Sequence, residues 1–273
     1  LERRLSAPSR QVQAILARHD AVEFMADQPE AANNVRDALR RVPDIDRALS
    51  RLALDRGGPR DLAAIRDGLS GARLISQTPA NTAPRLITRA FAELMGHEDL
   101  SSHLDQALIA EPPLLARDGG YVAEGVDEDL DKARTLRDEG RSVIAKLQAD
   151  YAAETNVSSL KIKHNNVLGY FIETTKTHAD RMMAPPLSDR FIHRQTTANV
   201  VRFTTVELND LQSRIIGAGA EALEIEKRIF ERLRADILAT AATLTQPARA
   251  LAELDLAAAL ADLALAGGWS RPK

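Results

Sequence analysis

Lys161 and Lys163 stand two residues apart in Leu-Lys-Ile-Lys, so on an extended strand both side chains leave the same face. Further along, Arg194 and Arg202 bracket Thr196, Thr197 and Asn199. Long cations mixed with short hydroxyl and amide side chains are suited to phosphate oxygens: the charges attract, and the short polar groups fix register. No helix start nearby carries the long polar residues that enter a groove, so the expected contact is with a nucleic-acid backbone, not with base edges. The residues themselves leave three readings open. They are contact with DNA or RNA, a solvated sheet whose cations guard its edges, and a tip that docks on an acidic protein surface.

The segment that carries these residues, 157–205, differs from its surroundings. It holds seven basic residues (Lys161, Lys163, Lys176, Arg181, Arg190, Arg194, Arg202) against three acidic ones (Glu173, Asp180, Asp189). That net +4 sits in a chain of net −3, so the other residues sum to −7. The flanks are rich in Ala and Leu and read as helix. Within the segment, Tyr170, Ile172 and Thr174 alternate with Phe171 and Glu173, and Val201 and Phe203 flank Arg202. About four short antiparallel strands follow, with Asn165-Asn166 and Gly169 marking a hairpin turn. A sheet that small buries one face and leaves the other for a partner.

Two long helices must hold this insert. One is expected from about Asp127 to Thr155, with Leu130, Ala133, Leu136, Val143, Leu147 and Tyr151 on one side. The other is expected from about Val206 to Thr240, where Leu208, Leu211, Ile215, Ala218, Ala222, Ile225 and Ile229 step alternately by three and four, as in the seam of a helix pair. Because the insert joins the end of one to the start of the other, the two pack antiparallel with the sheet at their tip. The rest reads as shorter helices broken at Pro29, Pro43, Gly57-Gly58-Pro59, Pro79, Pro84 and Pro112. The fold class is therefore mainly α, a multi-helical body with a long antiparallel hairpin carrying a small β-sheet. The body is expected at 1–125 and 210–273, and the hairpin domain at 126–209 with its β tip at 157–205.

The chain lacks recognisable catalytic machinery. There is no Gly-Lys dipeptide for a P-loop, no His-Glu-x-x-His and no nucleophile elbow. His164, His178 and His193 have no metal-ligand spacing, and there is no cysteine, so neither a metal site nor a disulfide is expected. Glu221 and Glu224 with Glu226 read as a solvated helix face. No apolar run is long enough to span a membrane, and no signal core opens the chain. The first residue is not Met and the last ones, Trp-Ser-Arg-Pro-Lys, stop abruptly, so a piece of a longer protein is expected.

The run Ser159–Thr175 (SLKIKHNNVLGYFIETT) followed by Arg190–Leu211 (RFIHRQTTANVVRFTTVELNDL) resembles the clamp segment of the MutS family of DNA mismatch-repair proteins. Leu160, Lys161, Ile162, Asn165, Gly169, Tyr170, Phe171, Ile172, Arg194, Gln195, Thr196, Asn199, Arg202, Phe203, Glu207 and Leu208 match its pattern. Val42–Leu54 and Pro59–Leu69 resemble its lever region, and Ala250–Ala264 resembles the helix leading toward its ATPase, so the likeness covers nearly the whole chain in family order. The resemblance implies a lever and clamp that grip the duplex DNA backbone without sequence preference and relay motion to an ATPase domain outside this chain. It implies no catalysis and no cofactor here, ATP and Mg belonging to that ATPase. It further implies a homodimer of the full-length protein, mismatch-repair partner proteins and a bacterial, cytoplasmic, nucleoid-associated location. The alternative is a helical scaffold whose basic tip docks an acidic partner. The DNA-backbone residues implied are Lys161, Lys163, His193, Arg194, Thr197, Asn199 and Arg202. At two positions the chain departs from the family: Ala198 replaces a Lys, and His193 replaces the first Arg of an Arg pair. The grip is therefore expected to be weaker than is typical of the family or shifted to Lys161, Lys163 and Arg202.

Overall fold

The computed structural model describes residues 2–78 and 82–272, so the proposed helix break at Pro79 and both terminal residues lie outside it. The described residues form eleven α-helices and one four-stranded antiparallel sheet, the mainly α class expected. The chain divides into two compact units, one of Leu1–Ala123 with Arg228–Lys273 and one of Glu124–Lys227.

The first unit is mainly helical among the described residues. Its helices include α1 (Glu2–Ser6), α2 (Val12–Asp27), α3 (Pro29–Leu39), α4 (Ile45–Ala53), α5 (Pro59–Ser76), α6 (Arg85–Glu93) and α7 (Glu98–Ala107), several of which start at a proline or a cap. Pro29 and Pro59 sit at helix starts, where the missing N–H costs nothing. The Asp44 carboxylate caps α4 by accepting from the Arg47 amide at 2.9 Å. Asp61 accepts from the Gly58 amide at 2.8 Å and from Arg51 Nε at 2.9 Å, tying α5 to α4. Against α2, α3, α4 and α6 lies α11 (Ala241–Gly267), half of whose buried positions are alanine. Those small side chains let neighbouring helices approach closely. Arg66 is buried and donates to the Ile109 and Ala110 carbonyls, both at 2.9 Å, which fixes the segment after α7.

The second unit begins with α8 (Glu128–Thr155), capped by Asp127, whose carboxylate accepts from the Asp129 and Leu130 amides. The chain then forms β1 (Lys161–Asn165), β2 (Gly169–Thr175), α9 (Lys176–Met182), β3 (Ile192–Thr196) and β4 (Val200–Thr204), and continues into α10 (Val206–Ala239). Partners fall in number along α10 as they rise along α8. Arg134 pairs with Glu226, Gly140 faces Ile215, and Tyr151 meets Thr205 and Glu207, so the helices run antiparallel. All seven predicted seam positions of α10 are buried.

The facing seam of α8 differs from the one expected. Leu136 and Val143 are 37% and 46% exposed. The buried path passes through Leu130, Ala133, Gly140, Leu147 and Tyr151, with Ile144 partly buried beside it. The heptad step from Ala133 to Leu147 passes through Gly140, which lies between the expected Leu136 and Val143. A Cβ at Gly140 would lie 2.3 Å from Ile215 Cγ1, so the missing side chain is what lets Ile215 fill that site. Glu226 also departs from expectation. It is 2% exposed and accepts from Arg134 at 2.6 Å, whereas Glu221 and Glu224 are exposed. A carboxylate is retained inside because a guanidinium meets it.

The ends of both helices and the inner face of the sheet share one core: Leu147, Tyr151, Ile172, Phe203, Leu208 and Leu211, closed by Met182 of α9 and by Phe191. Helix α9 was missed at the sequence level because its seven residues, KTHADRM, carry only two apolar contacts, Ala179 and Met182. Two glutamines seat the sheet. Gln148 of α8 accepts from the Ile162 amide at 2.8 Å, and Gln212 of α10 accepts from the Tyr170 amide at 2.6 Å. Buried Tyr151 shares a 2.6 Å hydrogen bond with Thr205, which in turn accepts from the Leu208 amide at 3.0 Å and so caps α10. Burial raises the Tyr151 pKa above its ordinary value.

Replacing Gly140 by Leu drives a side chain into Ile215 and should lower the unfolding free energy by roughly 1–3 kcal/mol, read from urea unfolding. An unchanged midpoint would remove Gly140 from the seam. Tyr151→Phe keeps the ring and deletes the hydroxyl. The expected loss is about 1–2 kcal/mol in the same measurement, and a neutral result would show that the Thr205 bond adds nothing.

Candidate nucleic-acid interface

The order β1-β2-β4-β3 leaves β1 and β3 as edges and buries the pairing of β2 with β4. Directly opposed residues share a face. Ile162, Ile172 and Phe203 form one row, on the core side. The next row crosses all four strands as Lys161, Glu173, Arg202 and Gln195, on the outer side. Lys163 sits opposite Phe171 on that same outer face. Three predicted phosphate contacts and one carboxylate therefore share a single surface.

The carboxylate organises that surface. Lys163 Nζ donates to Glu173 Oε1 at 2.6 Å, and Arg202 Nε donates to Glu173 Oε2 at 3.1 Å. These hydrogen bonds, Lys163 first, hold the Glu173 pKa below its ordinary value. Arg202 is held twice more. It donates to Gln195 Oε1 at 2.8 Å and lies 4.6 Å above the Phe171 ring. The outer face is thus not a bare cationic surface: Phe171 is buried beneath Arg202.

The remaining predicted residues take different positions. Arg194 is the extra residue of a β-bulge between the pairs His193–Phe203 and Gln195–Arg202, which turns it out of the ladder, and it is exposed. His193 lies opposite Phe203, edge-on to that ring at 5.9 Å, with a ring nitrogen 2.9 Å from Thr196 Oγ1. It therefore belongs to the other face from Arg202. Thr197 closes the β3–β4 turn, donating to the Val200 carbonyl at 3.0 Å and accepting from the Val200 amide at 3.3 Å. Asn199 is exposed in that turn. The turn lies at the Thr175 end of β2, opposite the Asn165–Gly169 hairpin, since Thr175 pairs with Val200. At the hairpin, Asn165 Oδ1 accepts from the Val167 and Leu168 amides, and Gly169 takes φ +69°.

The segment's seven cations divide by partner. Lys163 and Arg202 face Glu173, and Arg190 bridges Glu154 at 2.6 Å and Glu207 at 2.8 Å over the Tyr151 ring. Arg181 donates weakly to the Thr155 carbonyl. Lys161, Lys176 and Arg194 are exposed with no carboxylate partner among the described residues. Sequence reasoning passed over Lys176 and Glu173. The signal for Glu173 was present, because it is the one acidic residue within the strand pattern. No group of His, Asp or Glu with metal-holding geometry occurs among the described residues. No helix there is long and apolar enough to cross a membrane.

Comparison with known proteins agrees with the motif likeness. A family model described as MutS domain III matches residues 1–261. The DNA mismatch repair protein MutS of Paracoccus denitrificans is 62% identical over 273 residues, covering 100% of this chain and 31% of that protein. Proteins of the same name from Roseobacter denitrificans and Dinoroseobacter shibae are each 59% identical, covering 99% and 100% of this chain and 31% of their own lengths. The chain thus spans about a third of the length of the relatives it matches, and it belongs to the MutS domain III family.

Proposed function

We propose that this chain is the lever-and-clamp portion of a DNA mismatch-repair protein, and that its sheet grips the duplex DNA backbone without reading sequence. The observation that carries this reading is the set of exposed, unpaired cations on the small sheet and its flank, Lys161, Lys176 and Arg194, beside the short polar groups of the β3–β4 turn. Such a set suits phosphates spaced along a backbone and offers no rigid helix for a groove. In this reading the lever comprises 1–125 and 210–273 and the clamp 126–209. Lys161, Arg194 and Asn199 contact phosphate directly. Lys163 and Arg202 do so only in competition with Glu173, while His193 and Thr197 serve the sheet's edge and turn. The lever passes movement to an ATPase that uses ATP and Mg, and this portion itself carries out no reaction. The working form is a homodimer that encloses duplex DNA, alongside other mismatch-repair proteins, in the bacterial cytoplasm at the nucleoid.

Binding driven by phosphate contact releases counterions, so the affinity of this chain for a short duplex of mixed sequence should fall as salt rises. The expected log–log slope is about −3 for three to four contacts. A flat response, together with saturable binding to an acidic protein, would favour the docking scaffold instead. Lys161→Ala and Arg194→Ala should each make the slope shallower by about one unit and weaken binding equally for unrelated sequences. Sequence-dependent losses would point to base contact.

A further inference from the structure

A carboxylate in the middle of a cationic face needs a reason. Glu173 lies in the outer row between Lys161 on one neighbouring strand and Arg202 on the other, and it accepts from Lys163 as well. Like charges on adjacent strands repel, so one stabilising role is plain. Stability alone does not require that both oxygens be engaged by the cations implied as the grip. Arg202 has two further attachments, the Phe171 ring and Gln195, and keeps its place without the carboxylate. Lys163 has no other partner among the described residues, and its side chain is half exposed.

We propose that Glu173 is an internal rival of phosphate. It occupies Lys163 and Arg202, and so sets the affinity of the sheet for a polyanion below what its cations would otherwise give. The proposal rests on the DNA-backbone reading above and adds how tightly that site binds. A phosphate approaching the outer face meets Lys161 uncontested, but must displace the Glu173 carboxylate to reach Lys163. Displacement exchanges one charge-assisted hydrogen bond for another, so this contact adds little net affinity. A grip that depends on few uncontested cations is weak and readily released.

Glu173→Gln removes the charge and keeps the shape and one acceptor oxygen. With the whole chain and a short fluorescent duplex of mixed sequence, the variant is expected to bind about three- to tenfold more tightly at low salt, with the slope steeper by about 0.9 as Lys163 gains a phosphate. Lys163→Ala should then cost more affinity in the Glu173→Gln background than in the native chain, a coupling that a general change in net charge does not produce. Glu154→Gln adds the same charge at the Arg190 bridge and should leave the slope unchanged. Should the Gln variant melt early, Glu173→Thr suits a strand and serves the same test. Equal or weaker binding by the folded variant, with the native chain binding normally, overturns this proposal and leaves the DNA reading intact. Absence of salt-dependent binding by both chains removes both.

Discussion

A buried hydroxyl contact between Tyr151 and Thr205 is the constraint on which the second unit depends. The chain leaves α8 and must re-enter at α10 after an excursion of some fifty residues, and this 2.6 Å bond joins the two ends. Thr205 also caps α10 through the Leu208 amide, so one side chain sets where the helix starts and where it meets its partner. Arg190 closes the junction from outside, gripping Glu154 of α8 and Glu207 of α10 above the tyrosine ring. Glu207 is the first cause, and Glu154 the second, of a raised Arg190 pKa. With the helix ends fixed, the sheet's inner face finds a floor of Leu147, Leu208 and Leu211, and its outer face is left to carry charge.

That charge is arranged more than it is accumulated. Seven cations suggest a strongly basic tip, yet carboxylates engage three of them in the free molecule. Arg202 shows how a residue serves two purposes. Stacked over Phe171, it covers an aromatic ring that would otherwise face water, and its guanidinium is held in a fixed orientation. The cations left uncontested sit at a strand start, on a bulge and at the start of α9: Lys161 keeps its place in the outer row, whereas Arg194 is turned out of the ladder.

Much of this was legible in the sequence, for identifiable reasons. Strand alternation around Ile172 and Phe203 and the three–four stepping of α10 are strong periodic signals, because each reports a face buried along its whole length. The α8 seam was misread at Leu136 and Val143. Its core position is a glycine, and hydropathy patterns cannot register a side chain that is absent. Glu226 was assigned to water for a similar reason: the guanidinium that makes its burial tolerable lies 92 residues away in sequence. The likeness that named the candidate contacts gave their types but not their competitors. Only strand register places Glu173 beside Lys161 and Arg202, and register is a pairwise property of distant segments.

The two glutamines that seat the sheet have a consequence for how such a domain can diverge. Gln148 and Gln212 each accept from a strand's main-chain N–H, a group that every residue except proline provides. The anchorage of β1 and β2 to their helices is therefore indifferent to which side chains the strands display outward. Outward-facing positions on these strands can drift while the sheet stays seated on its helices. A fold held by its backbone in this way can retune its surface over evolutionary time without losing its shape.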